Sequence, residues 1–240
     1  MSNTQSGANA PQFDSADECL AHSKQKSFER MYLQAGQRVL DVGCGTGEDT
    51  LALAKWVGAG AAVHGVDYDA AMIALAWQRC HAESVSAAVS FHHANATALP
   101  WPDHYFNASR SDRIFQYLLD PEHAFDEQLR VTRPGGRVVV ISGDWATLSL
   151  DSNEPDIESR RAHFVATLAT DNPISGHCLR SLFAQRGLLD VQIDVYPAFN
   201  AVTETTVCWQ HSIAPAAATY GLFASANAIV ISGRKPPVSE

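Results

Sequence analysis

The run Asp41-Val42-Gly43-Cys44-Gly45-Thr46-Gly47 sets three glycines at alternate positions, between an apolar stretch and a helical one. Glycine lets the backbone turn tightly and lets a ligand lie against it with no Cβ between. The same glycines would serve a plain turn between a strand and a helix, so spacing alone leaves both readings open. Glu48 narrows the choice. A dinucleotide-binding loop carries Gly or Ala at that position. An acid there would face the pyrophosphate that a helix N-terminus attracts. The loop therefore suits a ligand with no phosphate at that point.

A second acid stands at the end of Val63-His64-Gly65-Val66. This is Asp67, 24 positions after Gly43. A carboxylate so placed can accept both hydroxyls of a ribose. It could instead cap the helix that begins near Ala70. Asp69 is the better cap, which leaves Asp67 for the sugar and Tyr68 beside a base.

These residues need elements to hold them. Arg38–Val42, Ala62–Val66, Val89–His92, Phe106–Ser111 and Arg137–Ile141 read as short strands. Between them Asp49–Val57, Ala70–Cys80 and Pro121–Val131 read as helices. Alternating strand and helix imply βαβ units on a parallel sheet with right-handed crossovers. Ahead of the first strand, residues 15–34 carry Leu20, Phe28, Met31 and Leu33 amid charge, which suggests one or two amphipathic helices. Residues 1–12 are small and polar and read as a disordered tail. Beyond residue 144 the pattern loosens. A helix over Leu179–Gly187 and strands over Leu188–Tyr196 and Ala228–Ser232 remain legible, with irregular, helix-like material over Thr203–Ser225.

Composition sets bounds. The chain has 240 residues, 46% hydrophobic, with a formal net charge of −9. That length buries a substantial core. An acidic chain with no basic run is ill suited to a phosphate backbone, so no nucleic-acid partner is expected. The five cysteines are scattered with no C-x-x-C pair. They suit a reducing, cytoplasmic setting better than a disulfide framework or a zinc cluster. The N-terminus lacks a secretory apolar region, and no apolar run approaches the ~18 residues of a membrane span. His92 and His93 alternate across a strand, so they cannot both face one metal.

Asp41-x-Gly43-x-Gly45-x-Gly47 followed by Asp67 resembles the cofactor site of class I S-adenosylmethionine-dependent methyltransferases. Asn95-Ala96-Thr97-Ala98-Leu99-Pro100-Trp101 is similar to that family's segment after the third strand. Arg130-Val131-Thr132-Arg133-Pro134-Gly135-Gly136 is similar to its turn before the fifth strand, and Ile231-Ser232-Gly233-Arg234-Lys235-Pro236 to the end of its last strand. The likeness is strong over 36–144 and looser over 175–236. It implies a Rossmann-like α/β fold: a seven-stranded, mostly parallel sheet with an antiparallel last strand, helices on both faces and a small helical cap. It implies tail and lid helices over 1–34 and a cofactor-binding domain over 35–240, with cap segments near 145–175 and 203–225.

The resemblance also implies roles. Asp41 would hold the α-amino group of S-adenosylmethionine, directly or through water. Gly43, Cys44, Gly45 and Gly47 would form the loop along its methionine part, and Asp67 would take the ribose. Tyr68 and Met72 would flank the adenine, Asn95 and Ala96 would read its amino group, and the Ser111 carbonyl would lie near the methionine amine. Asn95 departs from the commoner Asp, but its side-chain oxygen can still accept from an amine. Asp112, Arg113 and Gln116 would face the acceptor, although Arg113 would serve equally in a surface ion pair. His177 is the best-placed base, with His211 in reserve, and a helix-capping or surface role for either is the plainer reading.

Ser111-Asp112-Arg113-Ile114 lacks the Pro-Pro-aromatic signature of enzymes that methylate nucleic-acid amino groups, and no metal-binding carboxylate cluster follows. The expected acceptor is thus a small, aromatic or apolar metabolite bound by a monomer or homodimer, with S-adenosylhomocysteine as product and no metal. Alternatives are a protein or peptide methyltransferase, or a cofactor-binding protein of the same fold with a cyclase-like or regulatory role.

Overall fold

The computed structural model describes residues 16–151 except Ser84 and Ser86, then Ser159, 176–201 and 223–237. Along 16–20, 145–151, 176–177, 197–201 and 223–227 it describes the backbone alone. The chain order is α1 (Ala16–Arg30), β1 (Arg38–Val42), α2 (Glu48–Val57), β2 (Ala62–Asp67), α3 (Ala70–Ala82), β3 (Ala88–His93) and β4 (Phe106–Asp112). Then come α4 (Pro121–Val131), β5 (Thr132–Asp151), α5 (Gly176–Gln185), β6 (Leu189–Ala201) and β7 (Phe223–Arg234).

The seven strands form one sheet in the order β3-β2-β1-β4-β5-β7-β6. β1 to β5 are parallel, and β7 runs antiparallel between β5 and β6. This is the Rossmann-like sheet expected from the alternating elements. The order reverses between β1 and β4, where an open α/β sheet leaves a crevice at its C-terminal edge.

Both sheet faces are covered, which explains the nearly unbroken apolar runs. In β5, Val139 and Ile141 join Phe28 of α1, Met31 just after it, and Leu53 and Val57 of α2 on one face. Val138 and Val140 join Phe125 of α4 and Leu179, Leu182 and Phe183 of α5 on the other.

Two boundaries differ from the sequence reading. The last three strands run further than their apolar runs: Ser149 pairs with Ser225 and Ala201 with Phe223. The segments expected to cap the site at 145–175 and 203–225 therefore include strand at 145–151 and 223–225. An antiparallel ladder needs backbone pairing rather than apolar side chains, so polar residues such as Asp144 and Ser149 hid the extension. The remainder of both cap segments lies outside the described residues. The second concerns residue 34: α1 is a single helix, within the one or two expected, and its Phe28, with Met31 just past its end, is buried in the sheet core. The boundary expected at residue 34 does not separate two packing units.

Candidate functional site

The glycine turn leaves β1 and enters α2. Gly43, Gly45 and Gly47 all have positive φ (74°, 51° and 79°), a backbone region that side chains enter at a cost. Their surroundings differ. A Cβ on Gly47 would fall 2.7 Å from Phe91 Cζ and 2.9 Å from Ala76 Cβ, so this glycine allows α2 to start close against β3 and α3. A Cβ on Gly43 would overlap the Ile114 side chain. A Cβ on Gly45 would meet nothing within 4 Å. Gly45 is the open side of the turn.

The donors of this turn are already engaged. The N–H groups of Gly43 and Cys44 both donate to the Val66 carbonyl, at 2.8 and 3.0 Å. Gly45 N–H donates to Asp67 Oδ2 at 2.8 Å, and Gly47 N–H to the Cys44 carbonyl at 2.9 Å. A phosphate-binding loop aims its N–H groups at the ligand. This loop aims the N–H groups of Gly43, Cys44 and Gly45 at β2. The structure thus agrees with the argument drawn from Glu48 against a pyrophosphate. Contact between a ligand and Gly43 or Cys44 would run through Cα and carbonyl rather than N–H. The Cys44 thiol is buried in a cluster with Leu51, Ile73, Ala76 and Phe91; burial, then the charges of Asp41 and Asp67, push its pKa up.

Asp67 closes β2 beside this turn. Its Oδ1 accepts from Asp69 N–H at 2.9 Å, while Asp69 caps α3 by accepting from Ala71 N–H at 2.7 Å. Each Asp67 oxygen keeps a second lone pair. A cavity of about 700 Å³ opens here, lined by Gly43, Asp67, Tyr68, Asn95, Ala96 and Ile114 together with 117–120 and His123. Its walls are largely apolar with a few convergent polar groups, as ligand pockets are. Asn95 folds into a local turn, its Oδ1 accepting from Thr97 N–H at 3.0 Å. Arg130 fixes the segment that follows. Its guanidinium donates to the Leu99 and Trp101 carbonyls (3.1 and 2.8 Å), to Asp103 (2.8 Å) and to Glu127 (2.6 Å).

The cavity gathers Gly43, Asp67, Tyr68, Asn95 and Ala96. Asp41, Cys44, Gly45, Gly47, Met72, Ser111, Asp112 and Arg113 are not on that lining. The side chain of His177 lies outside the described residues, as does all of His211; the His177 backbone is in the first turn of α5.

Asp41 is 1% exposed. Its Oδ2 accepts from the Thr50 hydroxyl at 2.7 Å and its Oδ1 from Arg110 Nη1 at 3.1 Å. Arg110 stands opposite Asp41 on β4 and is wholly buried. The same guanidinium donates to Asp49 of α2 (3.0 Å), to Asp112 (2.8 Å) and to Ser27 Oγ of α1 (2.8 Å). Lys24 of α1 pairs with Asp49 at 3.0 Å, and Arg113 with Asp112 at 3.0 Å. Burial pushes the Asp41 carboxyl up to about 6, against the pull of Arg110. Arg110 and the Thr50 hydroxyl each take one position on an Asp41 oxygen, and Asp41 is not on the cavity lining. Ser111 Oγ, next to Arg110, is buried with no hydrogen-bond partner among the described residues.

Sequence reasoning missed Arg110, Thr50 and His123. Arg110 had a signal: a strand buried on both faces cannot carry an arginine unless acids meet it. His123, three residues after the α4 cap Asp120, carried none, because a histidine in a first helical turn is usually a surface residue.

A family described as "Methyltransferase domain" matches residues 40–140. A demethylmenaquinone methyltransferase of Geobacillus sp. is 34% identical over 125 residues, 52% of this chain and 53% of that protein. An uncharacterized 37.1 kDa protein from a transposon of Streptomyces fradiae is 35% identical over 61% of this chain and 43% of its own length. The chain thus spans about half the length of the curated relatives it matches. Among solved structures, the YcgJ protein of Bacillus subtilis superposes over 90% of this chain and 99% of its own, with a TM-score of 0.69 at 20% identity. That last likeness concerns the fold.

Proposed function

With residues 40–140 belonging to a methyltransferase domain and the chain having the class I methyltransferase fold, we propose that it transfers a methyl group from S-adenosylmethionine to a small aromatic or apolar metabolite. The observation that carries this is Asp67, on the wall of a 700 Å³ cavity with Gly43 and bonded to the N–H of the open Gly45. A diol-binding carboxylate beside a turn whose donors face inward fits a nucleoside without phosphates. The Geobacillus relative supports the acceptor class, being named for a quinone.

The donor supplies a methyl group on a positively charged sulfur. The chain's residues bind and orient. Asp67 accepts from the ribose hydroxyls, Tyr68 and Met72 flank the base, and Asn95 and Ala96 take its amino edge. Asp41, Asp49 and Asp112 are matched near the turn by Arg110, Lys24 and Arg113, which hold them in place. Asp112 and Arg113 stand at the end of β4, where the acceptor would lie, and His177 takes the acceptor's proton when the nucleophile is a hydroxyl. Proximity supplies most of the acceleration. Tyr117 and Leu119, both strongly exposed at the cavity rim, give the acceptor an apolar approach.

The test is a pair of measurements. Calorimetry with S-adenosylhomocysteine is expected to give a dissociation constant near the micromolar range, about −8 kcal/mol, and Asp67→Ala to weaken it by about 1.5–3 kcal/mol. Phenols, quinones and N-heterocycles are then screened for methyl transfer. Wild-type affinity in Asp67→Ala would remove the ribose assignment. Binding with no transfer to any of them would favour a non-methylating role of the same fold.

A further inference from the structure

The edge of the sheet away from α1 carries a second constellation. His64 on β2 and Ser90 on β3 are register partners, and His92 follows Ser90 by two, so all three side chains stand on one face. His64 Nδ1 and His92 Nε2 converge to 3.3 Å, and Ser90 Oγ lies 2.8 and 3.0 Å from them. Trp101 stands edge-on to both imidazoles, at 4.9 Å from His92 and 5.8 Å from His64, and Phe106 is 5.4 Å from His64. Nothing in the methyl-transfer reading uses this cluster.

We propose that His64, Ser90 and His92 bind one divalent transition-metal ion of the zinc class, as a three-donor face completed by water. The geometry supports it. Two imidazole nitrogens bound at ~2.0–2.1 Å in a tetrahedral shell stand about 3.3–3.4 Å apart, the separation seen between His64 and His92. The triangle of the three donor atoms has a circumscribed radius of about 1.8 Å, less than a metal–nitrogen bond. An ion about 1 Å above its plane can therefore reach all three donors. Imidazole suits zinc, copper and nickel, whereas calcium and magnesium take oxygen shells. Among the described residues no three His, Cys, Asp or Glu side chains gather to hold a metal. The third donor is therefore the neutral serine hydroxyl, and the affinity is modest. Arg38 lies nearby, over the Tyr105 ring at 4.4 Å, and its charge opposes the ion.

A competing arrangement needs no ion: Ser90 donates to one imidazole and accepts from the N–H of the other. The two are separated by titrating chelator-stripped full-length protein with Zn²⁺ by calorimetry, and with Co²⁺ by visible absorption. The expected result is one ion per chain, a Co²⁺ spectrum of tetrahedral intensity and a rise in Tm with Zn²⁺. His92→Gln and His64→Gln should each weaken binding at least tenfold, while Ser90→Ala weakens it less. S-adenosylhomocysteine binding, retained in each variant, shows that the fold survives. Saturating Zn²⁺ with no heat and no Tm shift would overturn the site. Unchanged stoichiometry and affinity in the His64→Gln/His92→Gln double variant would overturn it too, by placing the ion elsewhere.

Discussion

Arg110 and Asp41 face each other across β4 and β1, 3.1 Å apart, and neither side chain is more than 2% exposed. One guanidinium in this position meets three carboxylates and one hydroxyl. Its planar fork can do so because its N–H groups point in fixed, different directions. The network ties together four elements: α1 through Ser27, β1 through Asp41, α2 through Asp49 and the end of β4 through Asp112. These are the elements that frame the glycine turn.

Removing that cation leaves Asp41 buried with no cationic partner and takes one partner each from Asp49 and Asp112, which keep Lys24 and Arg113. Arg110→Met should cost about 3–5 kcal/mol, the range for breaking a buried ion pair from one side. Arg110→Lys should fall between, since one ammonium cannot serve partners spread over four elements. Urea unfolding reads both. An Arg110→Met protein as stable as the parent would mean that the network contributes no net stability.

Two groups, the buried Asp41 and the half-buried His64, give stability opposite slopes with pH. Asp41 titrates near 6 when folded, because of burial, and near 3.9 unfolded. Between those values the folded state holds the extra proton, so this group's contribution is lost as pH rises through about 6. His64 titrates near 4 when folded, lowered by burial and by His92, against about 6.5 unfolded. There the unfolded state holds the extra proton, so stability is lost as pH falls from about 6.5 towards 4. In metal-free buffer, His64→Gln should therefore flatten the acid side of the stability curve by about 1–3 kcal/mol. Denaturant midpoints at pH 7, 5.5 and 4.5 decide it; parallel curves for parent and variant would show that His64 titrates normally.

The strand–helix alternation, the sheet's parallel half and the turn-plus-acid pair were legible because each leaves a local signal. A buried parallel strand must be apolar throughout, and a tight turn at positive φ calls for glycine. What stayed hidden depends on partners distant in sequence. Ser149 and Ser225 extend a ladder through backbone pairing alone. His64 and Ser90 are separated by 26 positions, and only the register of β2 on β3 brings them together. The roles within the glycine run were hidden for the same reason. Gly47 exists for Phe91 and Ala76, whereas Gly45 faces open space.

That difference makes the two glycines separable by mutation. Gly45→Ala places a methyl group in open space at φ 51°. It should cost only about 1–2 kcal/mol of backbone strain, yet weaken S-adenosylhomocysteine binding. Gly47→Ala adds to the same strain a clash with Phe91 and should lose about 2–5 kcal/mol in all. Thermal melts and calorimetry on both variants are the check. A Gly45→Ala protein with parental affinity would make the turn structural only.

Phe28 and Met31 are 7% and 1% exposed, packed against Val39, Leu53, Val139 and Val230. Losing one such core side chain costs about 2–5 kcal/mol, and whole domains have about 5–15 kcal/mol to lose. Deleting residues 1–34 should therefore unfold the sheet, not merely uncover the crevice. Lys24→Ala acts more narrowly. It removes the partly exposed pair with Asp49 at 3.0 Å and leaves the apolar face of α1 in place. Stability should change by less than about 1 kcal/mol. If α1 shields the bound cofactor, the dissociation rate of S-adenosylhomocysteine should rise in Lys24→Ala. Stopped-flow displacement reads that rate, and circular dichroism reads the truncation. A folded 35–240 fragment would show that α1 is a detachable lid after all.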